Sequence, residues 1–183
     1  DIPLFDGLNL IGGARFETTE INIVNFPEED AQWFPEGATT GVRLQPGDAD
    51  VDFEQDDVLP AVSLVYSPWA PLTFRASYTE TVARQTFREL TPIIQQEFLG
   101  GPVFIGNPSL QMSSLQNYDL RVDYRPTPGS LISASWFKKD VEDAIEFVQR
   151  QADFTYTTPV NYPEGTLEGF EIEIRQEMGA LWE

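Results

Sequence analysis

Between Leu72 and Tyr78 the chain alternates strictly, with Leu72, Phe74, Ala76 and Tyr78 on one side and Thr73, Arg75, Ser77 and Thr79 on the other. Successive strand residues point to opposite faces, so this period of two predicts a strand with one apolar face. The pattern recurs where Tyr118, Leu120, Val122 and Tyr124 oppose Asn117, Asp119, Arg121 and Asp123. It recurs again where Phe170, Ile172 and Ile174 alternate with Glu171, Glu173 and Arg175. A helix of period 3.6 would scatter these charges around its circumference, so the strand reading wins.

Three further segments alternate less regularly. Leu8 to about Phe26 opens with Leu8, Leu10, Gly12, Ala14 and Phe16 on one face. Asp57 to Tyr66 carries Pro60, which belongs at a strand start, an edge or a bulge. Leu131 to about Glu146 places Ile132, Ala134 and Trp136 together before reaching Lys138, Lys139 and Asp140. The expectation is about six antiparallel strands. Tight turns are predicted at Ser67–Pro71, Arg125–Ser130 and Gln176–Gly179, and long polar connections over Pro27–Asp56, Thr86–Ser114 and Gln149–Gly165. Loops beyond about 12–15 residues are uncommon in compact domains. Short turns at one end and long loops at the other is the layout of a transmembrane barrel. A soluble β-sandwich also alternates, and a secreted binding module of that kind stays open as the alternative.

Composition narrows the chemistry. With 30 acids, 11 bases and a net charge of −19, the chain is no partner for nucleic acid, which needs clustered Lys and Arg. It has no His and no Cys, so no Ser-His-Asp or Cys-His site can be built from it alone, and the commonest transition-metal ligands are missing. No enzyme activity and no cofactor are expected. No apolar run approaches the roughly 20 residues of a membrane helix, but a membrane strand needs only about 9–11 alternating residues. Asp1 at the start and Ala180–Glu183 at the end, which reads as the opening of another strand, point to a piece of a longer protein.

Specific strings go further. Leu10–Glu17 (LIGGARFE), Tyr78–Pro92 (YTETVARQTFRELTP), Gly106–Leu110 (GNPSL) with Asn117–Arg121 (NYDLR), Pro128–Asp140 (PGSLISASWFKKD) and Gly165–Glu173 (GTLEGFEIE) follow one another along the chain. Together they resemble the barrel of TonB-dependent outer-membrane receptors. The sequence departs from the family pattern at Gln85, Ser109 and Gln111, all at the strand–loop junction. The resemblance implies an all-β, up-and-down barrel of about 22 strands with short periplasmic turns and long extracellular loops, of which residues 1–183 supply a part. The plug domain and the segment that engages TonB are not visible in this stretch. Implied partners are outer-membrane lipid, the receptor's own plug and TonB, and a scarce small-molecule or oligosaccharide ligand such as an iron chelate or cobalamin.

Candidate residues follow from the faces. Arg75, Asp119, Arg121, Glu171, Glu173 and Arg175 are candidates for lining the lumen, where Arg can clamp a carboxylate with two hydrogen bonds. The bland alternative is that they pair across strands and keep the inner wall hydrated. Phe87, Arg88, Phe104 and Asn107 are candidate ligand contacts in the longest aromatic loop, unless that loop packs on its neighbours instead. Tyr66, Trp69 and Tyr124 are expected in the periplasmic aromatic girdle. The acidic run Asp48–Asp57 opens like a calcium loop but has Phe53 where Gly is required and Leu59 where a bidentate Glu is required. It is read as a solvated strand extension, with a looser Ca²⁺ site as the alternative. Glu171 and Glu173 flank a single strand residue with no cleft implied, so they do not read as a glycosidase pair.

Overall fold

A computed structural model describes residues 2–35, 38 and 40–177. A short β1 (Ile2–Phe5) precedes β2 (Leu8–Ile23), and after two further short strands, β3 (Gln32–Trp33) and β4 (Val42–Arg43), come β5 (Val51–Trp69) and β6 (Leu72–Ala83). A loop carrying α1 (Phe87–Leu90), β7 (Ile94–Gln96) and β8 (Val103–Ile105) leads to β9 (Ser113–Tyr124), β10 (Ser130–Gln151) and β11 (Thr155–Gln176). The main sheet is open, in the order β1-β2-β5-β6-β9-β10-β11-β8-β7. Neighbours in sequence are neighbours in space and antiparallel, apart from β8, which lies parallel to β11 through Tyr156–Val103 and Thr157–Phe104.

Two sequence expectations change. The connection read over Pro27–Asp56 stops at Asp50, and most of the acidic run is the strand extension expected of it: Asp52, Glu54 and Asp56 point one way, while Val51, Phe53 and Gln55 point the other. The third long connection does not exist. β10 and β11 extend as one hairpin to Gln151 and Thr155, joined by Ala152, Asp153 and Phe154. The stretch read as loop because it is polar, and it also carries Pro159 and Pro163, which cannot donate to a ladder. Pro159 pairs in register with Phe147 all the same. At Pro163 the ladder skips from Glu142–Glu164 to Ala144–Tyr162. The freed residue opposite, Asp143, takes a left-handed φ of 53° and its carbonyl accepts from Ser113 Oγ (2.9 Å) and Asn161 Nδ2 (2.7 Å). The turn expected at Gln176–Gly179 and the strand opening at Ala180–Glu183 extend outside the described residues.

The turns at the opposite end are tight. Asp6-Gly7 joins β1 to β2, and Gly7 has φ 80°, a conformation that costs other residues strain. A methyl group there would lie 2.4 Å from the Ser67 carbonyl oxygen on β5. Gly7→Ala is expected to destabilise the sheet by about 1–3 kcal/mol, read as a lower urea midpoint for unfolding of the full-length protein.

Candidate functional site

Direct cross-strand partners share a face, so the registers sort the side chains into rows. Thr73, Asp123, Ser133 and Glu173 form one row across β6, β9, β10 and β11. Arg75, Arg121, Ser135 and Glu171 form the next, and Ser77, Asp119, Phe137 and Gly169 the one after. The six charged residues singled out from the sequence therefore lie on one polar face. Arg75 and Arg121 are directly opposed, an arrangement that repels unless neutralised. Asp123, with a side chain only 2% exposed, neutralises it. Its Oδ2 accepts from Arg75 Nη1, its Oδ1 accepts from Arg121 Nε at 2.8 Å, and Arg125 Nη2 lies 3.8 Å away. Arg121 Nη2 also donates to Glu173 at 3.1 Å, and Arg175 donates to the other Glu173 oxygen. The chain Arg75–Asp123–Arg121–Glu173–Arg175 thus runs across three strands beside the tight turns. Asp123 is its centre, a role that its place in the alternation alone does not reveal.

The other face is apolar, and the position of the apolar stretch shifts from strand to strand. On β2 and β5 it runs from Leu8 and Tyr66 up to Phe16 and Val58, beyond which come Thr18, Glu20, Asp56 and Glu54. On β6 and β9 it ends at the paired rings of Tyr78 and Tyr118, with centroids 5.1 Å apart. On β10 and β11 it ends one row earlier, at Trp136 and Phe170, followed by Lys138 and Glu168. Its upper edge therefore drops three side-chain rows across the five strand spacings from β2 to β11. With roughly 6.7 Å per row and about 4.8 Å per strand, the band crosses the strands obliquely, at about 40°. Strands of a closed barrel tilt by about 35–45°, so an oblique stripe on the sheet becomes a level belt around the barrel. Nothing among the described residues covers it: Phe170, Ile172 and Ile174 are 83%, 79% and 76% exposed. A sandwich needs a second sheet on this face, and the sandwich alternative falls on that point. Tyr66 and Tyr124 lie on this face near the tight turns, with Tyr66 stacked on Phe74, and Trp69 closes the β5–β6 hairpin opposite Leu72.

At the loop end the packing is of another kind. Thr86 caps α1, receiving the Glu89 N–H while the Glu89 carboxylate takes the Thr86 N–H at 2.6 Å. Leu90, Leu110 and Val51 form a small buried core, against which Ile21, Ile23 and Ile145 pack. Ile21, Ile23 and Val51 belong to the polar-face side of their strands, so the loop folds across that face. Gln85 Nε2 donates to the Leu110 carbonyl (2.8 Å), and Gln111 exchanges hydrogen bonds with Asn161 (2.9 and 3.0 Å). Of the departures from the family pattern, Gln85 anchors the loop through its side chain, whereas position 111 does so through its backbone N–H and carbonyl.

The four candidate loop contacts separate. Asn107 lines a cavity of about 650 Å³ whose other walls include Phe34, Arg150, Tyr156 and Thr158. It also ties the loop to β11 through Pro159 O at 3.2 Å. Arg88 lies over the Phe104 ring at 4.6 Å, and both border a neighbouring depression with Phe147 and Thr157. Phe87 is exposed and lines neither. Sequence reasoning missed Phe34, Arg150 and Tyr156, because Phe34 is distant in sequence and the other two fell in the supposed third loop. The ring of Phe34 lies 5.9 Å from those of Phe154 and Tyr156, which joins the first loop to the β10–β11 hairpin.

An open, antiparallel, two-faced sheet with an oblique apolar band is a piece of a transmembrane β-barrel wall. The whole of residues 1–183 matches the family profile described as TonB dependent receptor-like, beta-barrel, and the chain belongs to that family. Among solved structures it is similar to a double mutant of the Serratia marcescens hemophore receptor HasR in complex with its hemophore HasA and heme, at 16% identity and TM-score 0.70 over 94% of this chain. It is also similar to the copper transporter OprC (15% identity, TM-score 0.68, 96% of this chain) and to the siderophore receptor PirA from Pseudomonas aeruginosa (15%, 0.56, 68%). The chain spans 30%, 25% and 26% of those three proteins respectively, and at such identities the likeness is one of fold. No curated protein matches it.

Leu110→Ala removes a fully buried side chain from the loop core and is expected to cost about 2–5 kcal/mol of local stability. In the full-length receptor the check is limited proteolysis, with faster cleavage within residues 84–112 and unchanged heat-modifiability of the barrel on a gel.

Proposed function

We propose that residues 1–183 are part of the barrel of an outer-membrane receptor that takes up a scarce solute with energy delivered through TonB. A separate plug domain would lie elsewhere in the same protein. In this reading the apolar band faces outer-membrane lipid and the polar face, with Arg75, Asp119, Arg121, Glu171, Glu173 and Arg175, lines the lumen against the plug. The observation that carries it is the oblique band, because a level hydrocarbon layer crossing tilted strands demands that offset. The loop-side cavity beside Phe34, Asn107, Arg150 and Tyr156 is the first contact for the solute. Its volume falls in the usual range for small-molecule sites, and it is walled by three separate loop segments, as recognition sites on rigid scaffolds commonly are. The similar solved structures are described as a hemophore receptor in complex with its hemophore and heme, a siderophore receptor and a copper transporter. Iron chelates, cobalamin and oligosaccharides are the solute classes to test. The steps are binding and gating, with no bond broken.

The full-length gene, expressed in a strain lacking its own receptors, is expected to support TonB-dependent uptake of one labelled compound from a panel of ferric catecholates, ferric hydroxamates, heme, cobalamin and maltodextrins. Arg150→Gln or Phe34→Ala should lower that uptake by roughly tenfold at limiting concentration, as loss of an anchor residue does. Uptake that persists without TonB, or that both substitutions leave intact, would contradict the proposal.

A further inference from the structure

We propose that the loop-side cavity takes its solute by an anionic group, a carboxylate or phosphate carried on an apolar body, with Arg150 as the counter-ion. The inference rests on the reading of that cavity as the recognition site and deepens it.

Three observations carry it. First, Arg150 is uncommitted. Of the nine arginines in the chain, seven pair with a carboxylate and Arg43 donates to the Glu29 carbonyl. Among the described residues Arg150 has neither an ion pair nor a side-chain hydrogen bond, so all five of its N–H donors are open to a ligand. Second, the cavity wall offers donors and few acceptors. No Asp or Glu among the described residues lines it, in a chain with 30 acids. Both amides in the wall have their oxygens occupied: Asn107 Oδ1 accepts from the Ser109 N–H (3.0 Å), and Gln151 Oε1 accepts from the Thr155 hydroxyl (2.6 Å). The polar side chains that remain are Arg150 and the hydroxyls of Ser109, Tyr156 and Thr158. A cationic solute would meet Arg150 with no carboxylate to offset it, whereas an oxyanion can accept from the guanidinium fork and the hydroxyls together. Third, the ladder gathers these groups. Arg150 stands directly opposite Tyr156, and the next pair on the same face is Val148 with Thr158. The Phe34 ring, 5.9 Å from that of Tyr156, supplies apolar wall beside them. The neighbouring depressions lack this character. Where Arg88 lines one, Glu89 lines it too and Arg88 already pairs with Glu97 at 3.4 Å. The depression beside Phe26 is lined by Glu28, Glu29 and Asp30.

The test is a saturation-transfer NMR titration of the full-length receptor, in non-ionic detergent at low salt, with two probes of one shape, benzoate and benzamide. Benzoate is expected to bind about tenfold or more tightly than benzamide, the preference that charge-assisted hydrogen bonds give. Arg150→Gln should abolish that preference, Arg150→Lys should keep part of it, and Phe34→Ala should weaken both probes alike. Equal affinity for the two probes, binding of neither, or a benzoate preference that survives Arg150→Gln overturns the inference. TonB-dependent uptake that still requires Phe34 would then leave the transport reading standing. Uptake independent of TonB fails the transport reading whatever the two probes show.

Discussion

Inside hydrocarbon a backbone N–H or C=O has no water to bond, and each one left unsatisfied costs on the order of several kcal/mol. A strand can cross only if neighbours on both sides complete its ladder. β5, β6, β9 and β10 meet that demand with antiparallel partners on both sides, and once a register is fixed, every side chain is fixed to a face. A one-residue slip in any of these ladders would send Phe74, Leu120 or Ile172 to the polar side and Arg75, Arg121 or Glu173 to the apolar one. The faces are thus a consequence of the ladder, and the oblique band is a consequence of laying tilted strands across a level layer.

The two ends of the sheet solve different problems. At the tight-turn end there is little room and little apolar bulk, and the polar face is organised by a buried carboxylate that collects arginines. At the loop end the strands outrun the apolar band and the polar face gains a small aliphatic core, with Leu90 and Leu110 brought onto Val51 and Ile23. β8 pairs there with β11 at Tyr156 and Thr157, which ties the loop to the β10–β11 hairpin. The loop cap and the β10–β11 hairpin are joined through Asn107, Gln111 and Asn161, so whatever moves one is transmitted to the other.

The strands with the cleanest alternation were legible because their signal is local: seven residues around Leu72–Tyr78 suffice to show a face. The family was legible from ordered strings spread over the chain. What was not legible depends on contacts between distant residues. The polar stretch Gln149–Gly165 read as a loop, yet the ladder runs through it, with Pro159 in register and a left-handed Asp143 opposite Pro163. That error hid Arg150 and Tyr156 from the list of cavity residues. The grouping of Arg75, Arg121 and Arg175 on one face could be read, whereas the burial of Asp123 beneath them could not, since it follows from the packing of three strands.

The most direct test of the two-faced wall uses the absence of cysteine from the sequence. Single cysteines placed in turn along β5, β9 and β11 of the full-length receptor, in outer-membrane vesicles, would be spin-labelled and probed with a lipid-soluble and a water-soluble relaxation agent. The account predicts lipid exposure at even positions and water exposure at odd ones. It also predicts that lipid contact reaches Val58 on β5, but on neighbouring strands ends at Tyr118 on β9 and at Phe170 on β11, following the oblique band. Accessibility without a period of two, or a boundary in the same register row on all three strands, would contradict it.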